Sequence, residues 1–458
     1  MDCRLRPREA VTEKPTGRLR LGVEAGWLLA ANICTFAVGL FAVRALTGRM
    51  IPVEYGYVAL ANSVVMLANQ VIFAPVSNAA SRFYAIAREK NTQAEYYLAL
   101  LRMMALFAAG ACAVFAIAAP FLHARSLALL GAGTFVWALA AGLNSVLDGI
   151  QNAARQRIIV ALHQTAAQGL RLLAAVALVA TIRGVAKPGL AMMGFAAGAS
   201  VVLVSQLVVL RRRELAGIEW RAATSPAMSA PMWNYGAPFF AWGLFAWLQQ
   251  FSDRWALQAT VSTHELGIYQ SFCQISVAPI TNLFAVGMQL IAPVAFAAAG
   301  DGSSAERLAE SYRLIHRTAL AGAVATLAAV YAAAVLREPM ARLLLAPAYR
   351  TKAFLIPSLM LAAGTFGVGQ TLTLKLMTQG SVKRLLAPKI GSAAAGCLLM
   401  FLLAREFGVA GVAGAQILTA LGYTGWVLAL SAPQSGLTYF NARNPHIRGR
   451  EIAPQAAR

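Results

Sequence analysis

Apolar runs of membrane-spanning length, separated by short polar and basic turns, recur along almost the whole chain. Set against the roughly 20 apolar residues a helix needs to cross a hydrocarbon core, the pattern predicts twelve spans. They cover about 24–46, 56–77, 98–119, 127–149, 158–182, 189–210, 233–259, 267–297, 318–336, 353–376, 386–404 and 409–431. Spans two and eight contain prolines (Pro75; Pro279 and Pro293), so kinks are expected where neighbouring helices or water satisfy the freed carbonyls. The segments between spans are too short to bury a soluble core. The fold class predicted is an all-α polytopic membrane protein.

A second pattern is laid over the first. The stretch Trp233–Tyr269 is aromatic and apolar, yet holds Gln249, Gln250, Ser252, Asp253 and Arg254. It echoes the start of the chain. Arg44 ends one apolar run and is followed twelve residues later by Gly56, and Arg254 ends another, thirteen residues before Gly267. A short loop, a Glu and a new apolar run follow each Arg. Span four runs into DGIQNAARQR and span ten into LMTQGSVKRL, each with a Gln ahead of two basic residues. These echoes indicate an internal duplication. Six plus six spans place both halves the same way up, related by an axis along the membrane normal, with the substrate path between them. The expected organisation is a basic tail (1–22), a six-helix bundle (23–210), a linker (211–232), a second six-helix bundle (233–431) and a basic tail (432–458).

Composition agrees: 59% of residues are hydrophobic and 12% charged, with mean hydropathy +0.61, whereas soluble proteins carry about 25% charge. The net charge of +21 would suggest nucleic acid if it were clustered. With the N-terminus inside, the inner segments hold 26 Lys and Arg and the outer loops 9, with Arg44, Arg171, Arg254 and Lys375 inside spans. That asymmetry predicts cytoplasmic termini and removes the nucleic-acid reading. Loop 337–352 dissents, being outer yet holding four basic residues. The five cysteines show no paired spacing, so neither a disulfide framework nor a zinc site is expected. The first apolar run lacks a small-residue cleavage site and reads as a retained span.

Catalysis has little material here. The chain has no GxxxxGK[ST], no DxD pair among four Asp and no HExxH among five His, and no cofactor or metal motif. Transport is the better class. Charges inside a membrane face a protein interior or a wet cavity, so the candidate substrate-binding residues are Arg44, Arg171, Arg254 and Lys375. Arg171 sits near the midplane, Arg44 at an outer interface, and Lys375 near an inner end where snorkelling is easy. Asp253 and Asp148 are candidates for ion pairing or for holding a coupling ion, Asp148 with Arg155 or Lys375 as its partner. Gln249, Gln250 and Asn32 are candidate polar cavity residues, against the commoner use of amides between helices. The excess of buried cations suits an anionic lipid headgroup, such as a phosphate or pyrophosphate, better than a cationic drug.

The runs FAVRALTGRMIPVEYGYVAL, SRFYA, FSDRWALQATVSTHELGIYQ, YRTKAFLIPSLMLA, QGSVKRLLAPKIGSAAAGC and FGVAGVAGAQILT are similar, in order and spacing, to the bacterial oligosaccharide-lipid flippases of the polysaccharide-exporter type. These share a superfamily with the multidrug-and-toxin extruders and the lipid II flippase. The resemblance, over about 22–431, implies a V-shaped pair of bundles working by alternating access in the bacterial inner membrane. It implies a polyprenyl-pyrophosphate-linked repeat unit as substrate, its tail left in the bilayer through a gap between bundles. A polysaccharide polymerase and co-polymerase are the implied partners. It also places the family's cationic cavity on Arg44, Arg171, Arg254 and Lys375. The rival is a cation-coupled multidrug antiporter using Asp148 or Asp253. A membrane-embedded glycan polymerase or ligase ranks third, because it would carry a large outer loop.

Overall fold

The computed structural model describes residues 36–118, 125–216, 218, 220, 228–300, 304–379 and 382–431. The first described helix, α1, is Phe36–Thr47. α2 (Pro52–Leu67) passes through a π-helical turn (Ala68–Phe73) into α3 (Ala74–Glu89). Then follow α4 (Gln93–Ala118), α5 (Arg125–Ala153), α6 (Arg157–Thr181), α7 (Lys187–Arg213), α8 (Ser229–Thr260), α9 (Thr263–Ala299), α10 (Ala305–Leu344), α11 (Leu355–Thr378) and α12 (Leu386–Ser431). Short 3-10 turns precede α11 (Pro347–Lys352) and α12 (Val382–Leu385). Counting α2–π–α3 as one span and α12 as two, the described helices follow the twelve predicted spans in order, with the 24–35 part of the first span lying outside the described residues.

Three of those crossings differ in form from the prediction. The eleventh and twelfth are joined without a loop, by Gly408 alone at φ 59° and ψ −136°, a conformation that costs a residue with a Cβ much more than glycine. In span two the helix widens into the π turn just ahead of Pro75, whose ring cannot donate to a carbonyl one turn back. Helices also outrun their apolar segments. The stretches 78–102 and 299–317, expected as connecting segments, are largely helical, reduced to a turn at 90–92 and to a start of α10 at Ala305. The apolar run measures hydrocarbon thickness, whereas backbone hydrogen bonding continues into water as long as a cap can be made. Ser304 makes one, its hydroxyl accepting from the Arg307 N–H at 3.4 Å.

One bundle is built around α5, α6 and α7 with α2 and α3, and the other around α8 to α12. They meet chiefly where α2 packs on α9 and where the π turn and α3 pack on α8. Gly56 and Gly267, the two glycines matched by the duplication, face each other at the first of these crossings. A Cβ on Gly56 would strike the Thr263 carbonyl, and one on Gly267 the Pro52 carbonyl. Each repeat thus contacts its own equivalent, as a two-fold axis requires.

Beside this crossing the loop before α11 reaches onto the other bundle. Tyr349, fully buried, donates to the Met50 carbonyl at 2.9 Å and meets Tyr55 edge-on at 6.0 Å. The Ala346 N–H points to Thr47 Oγ1 at 3.4 Å, and Lys352 pairs with Glu265. The basic loop that dissented from the charge asymmetry is therefore partly neutralised. Arg350 caps the end of α10 through the Leu345 and Arg342 carbonyls, both at 3.0 Å. Near the opposite face the bundles touch through aromatic rings, Phe83 with Tyr235 (6.1 Å) and Phe107 with Trp233 (5.9 Å).

Candidate functional site

Asp253 on α8 is 2% exposed, and its carboxylate is fully engaged. Oδ1 accepts from the Arg254 backbone N–H (2.8 Å) and from Arg254 Nη1 (2.7 Å). Oδ2 accepts from the Tyr269 hydroxyl (2.7 Å) and from Gln416 Nε2 (2.8 Å). Helices α8, α9 and α12 thereby converge on one carboxylate. Arg254 also donates Nε to Gln270 Oε1 (3.0 Å) and Nη1 to the Gln250 carbonyl (2.6 Å), and its guanidinium lies 4.8 Å from the Phe251 ring. Its Nη2 donates no hydrogen bond to the described residues. Asp253, Arg254, Gln270 and Gln416, with Gln249, Gln250, Gln274 and Phe366, line a cavity of about 460 Å³ inside the second bundle.

Arg171 lies elsewhere. On α6, its guanidinium sits 5.4 Å from the Trp137 ring, and its Nε is buried without a partner. Together with Asn69, Asn144, Asp148, Gln164 and Gln168 it lines a second cavity, about 260 Å³, in the first bundle. Asp148 does not take Arg155 or Lys375 as partner. Amides take that place, Gln164 at 3.0 Å and Gln206 at 2.6 Å.

The π turn stands between the two cavities. Asn69 lines the Arg171 cavity, while the neighbouring Gln70 donates to Gln250 Oε1 of the Arg254 cavity at 3.3 Å. π turns displace side chains from the regular helical register and recur at functional sites. Two further bonds pin α8 to α2, ahead of the π turn: Trp247 Nε1 to the Ser63 carbonyl (2.7 Å) and Trp255 Nε1 to Ser63 Oγ (3.1 Å).

The structure separates the four cations expected on one wall. Arg44 lies on the exposed side of α1 and lines neither cavity. Lys375 does not snorkel. It is 6% exposed, donates Nζ to the Ser431 carbonyl at 2.9 Å, and sits 3.1 Å from His316 Nε2 and 4.9 Å from the Tyr312 ring. Groups from α10 and α12 hold it there, away from both cavities. Gln249 lines the Arg254 cavity with Nε2 tied to Ser392 Oγ at 3.1 Å. Asn32 lies outside the described residues. Lys375→Met is therefore expected to lower the melting temperature while sparing transport per folded molecule, and Arg44→Ala to change stability by no more than about 0.5 kcal/mol. Thermal unfolding and transport measured on the same preparations check both.

Several site residues escaped the sequence reading. Tyr269 and Gln416 complete the Asp253 network, and Gln206 and Trp137 shape the Arg171 cavity. Lys389, near the start of α12, places Nζ 5.6 Å from the Phe366 ring that lines the Arg254 cavity and 5.9 Å from Trp242. The available signal was an amide or a lysine next to a Gly/Ala-rich apolar run, and close helix packing explains such a run equally well.

A family profile described as "Polysaccharide biosynthesis protein" matches residues 21–298. No curated protein matches the chain. Among solved structures, "Lipid II flippase MurJ, inward closed conformation" matches with TM-score 0.70 at 12% identity, over 88% of this chain and 87% of that one. An inward-facing multidrug resistance MATE family transporter of the MOP superfamily matches with TM-score 0.69 at 14% identity, over 89% and 96%. An outward-facing one reaches 0.55 at 15% identity, over 89% and 96%. These likenesses show that the chain shares the fold of these proteins.

Proposed function

The chain belongs to the polysaccharide biosynthesis protein family, and from that premise we propose that it is a flippase for a polyprenyl-pyrophosphate-linked oligosaccharide. It is a multi-pass membrane transporter and not an enzyme. In this reading it works in the bacterial inner membrane with both termini in the cytoplasm. It carries the repeat unit to the periplasmic leaflet, where a polymerase and co-polymerase receive it.

The observation that carries the reading is Arg254, a cation in a membrane-embedded cavity with Nη2 uncommitted to the described residues and its counter-ion Asp253 already saturated. Such a site favours an incoming anion, since the guanidinium keeps donors for phosphate oxygens while the carboxylate has no lone pair to lose. Arg171, with its unpartnered Nε on the other side of the π turn, offers a second donor within the first bundle. The Tyr349 side is the periplasmic face in this orientation, closed by the Tyr349–Met50 bond and the Gly56–Gly267 crossing. Alternating access then means opening that crossing while the aromatic contacts of the other face close.

The rival reading, a cation-coupled multidrug antiporter, requires a carboxylate able to take up an ion. Asp253 would have to release four donors first, so Asp148, held by two amides, is the position left to it.

The test is translocation of a polyprenyl-pyrophosphate oligosaccharide in proteoliposomes, with and without a sodium or proton gradient. Protein-dependent arrival in the opposite leaflet is expected. Arg171→Ala should reduce the rate about tenfold, the worth of one charge-assisted hydrogen bond, with an unchanged melting temperature. Extrusion of a cationic dye with no movement of the lipid-linked sugar would give the rival reading the field.

A further inference from the structure

One face of α9 runs through two environments. Gln270, Val277 and Thr281 line the Arg254 cavity. Phe284, Met288 and Ile291 continue the same face at helical spacing and line a separate groove of about 230 Å³ between α9, α10 and α11. The groove is apolar in effect, because its two hydroxyls are spent on their own helices. Thr318 donates to the Leu314 carbonyl and Thr371 to the Gly367 carbonyl, both at 3.0 Å. Its rim is open to the outside: Leu283 on α9 is 58% exposed, and Ala321 and Ala325 on α10 are exposed as well. Between groove and cavity stands the Phe284 ring, seated in a notch left by two glycines. A Cβ on Gly322 would lie 2.8 Å from Phe284 Cε1, and one on Gly367 would strike the same ring.

We propose that this groove seats the isoprenoid chain of the lipid whose diphosphate occupies the Arg254 cavity, with Phe284 dividing tail from headgroup. The inference rests on the flippase reading and changes its route. The tail leaves within the second bundle, between α9 and α10, not through the gap between bundles. Three observations commit the site to this occupant. A cationic polar cavity and an apolar groove lie end to end on one helix face, which matches an amphiphile with an anionic head. The groove opens towards the bilayer, where such a tail must remain. Its volume falls below the roughly 300–1,000 Å³ of pockets that enclose whole drug-sized ligands, which suits a segment of a long chain.

The experiment uses the full chain in proteoliposomes with a polyprenyl diphosphate bearing a diazirine on its isoprenoid chain. Labelling is expected on α9 and α10 around Phe284, Gly287 and Gly322, competed by unlabelled polyprenyl diphosphate and not by phosphatidylglycerol. Gly287 has open space where its Cβ would stand, so Gly287→Leu fills the groove without forcing a helix apart. It is expected to cut translocation ~tenfold and to suppress labelling, whereas Gly110→Leu on α4, where space is also open, changes neither. Labelling spread evenly over the lipid-exposed helices, or competed equally by phosphatidylglycerol, would reduce the groove to ordinary lipid contact and overturn the proposal. Wild-type translocation with an unaffected Gly287→Leu sinks the groove alone. Absent translocation together with absent competition by the diphosphate sinks the flippase reading as well.

Discussion

Arg254→Ala is expected to abolish translocation of the lipid-linked sugar and to destabilise the protein by about 3–5 kcal/mol, the usual cost of breaking a buried ion pair by removing one partner. Asp253 is 2% exposed and would keep the Arg254 backbone N–H, the Tyr269 hydroxyl and Gln416 as donors, but no counter-charge. Loss of transport in this variant alone would therefore not separate headgroup binding from misfolding. The double variant Asp253→Asn/Arg254→Gln makes the separation. It removes both charges and keeps amides in their places, so the melting temperature should recover most of the loss while translocation stays absent. Recovery of transport along with stability would show that Arg254 serves only the fold. Arg254→Lys retains the charge without the planar fork that reaches Asp253, Gln270 and Gln250 together, and should transport at an intermediate rate.

Gly267→Leu is expected to hold the Tyr349 face open and stop the cycle there. At this crossing the obstacle to a side chain is backbone, the Pro52 carbonyl, and α2 can yield only by moving as a body. Overpacking of that kind costs about 1–3 kcal/mol, levied only on the closed arrangement. A reporter exists in the approach of Ala346 to Thr47, where the backbone N–H is 3.4 Å from the hydroxyl. In a background free of the native cysteines, Thr47→Cys with Ala346→Cys should cross-link readily and block transport. Adding Gly267→Leu should abolish the cross-link. Undiminished cross-linking would mean that the glycine crossing does not govern closure.

The number of crossings and the duplication were legible in the linear pattern. Hydrocarbon thickness sets the length of each apolar run, and a backbone in lipid has to satisfy its own hydrogen bonds, so twelve runs imply twelve helices. The duplication likewise singled out Gly56 and Gly267 before their contact was visible, because equivalent residues near a two-fold axis meet. Helix ends were less legible. Past the hydrocarbon, the sequence of α3 and α10 turns polar while the helix goes on.

Which cations share a cavity was decided only by the tertiary structure. Arg44, Arg171, Arg254 and Lys375 look alike as charges within apolar runs, yet one faces outward, two line separate cavities and one is tied off by a carbonyl and an imidazole. The carboxylate of Asp253 is completed by Tyr269, 16 residues away, and by Gln416, 163 residues away. An apolar run records the solvent around a helix and hence its length. The rotation of each helix about its own axis, which sets the direction of a charge, follows from packing against partners that the local pattern does not name.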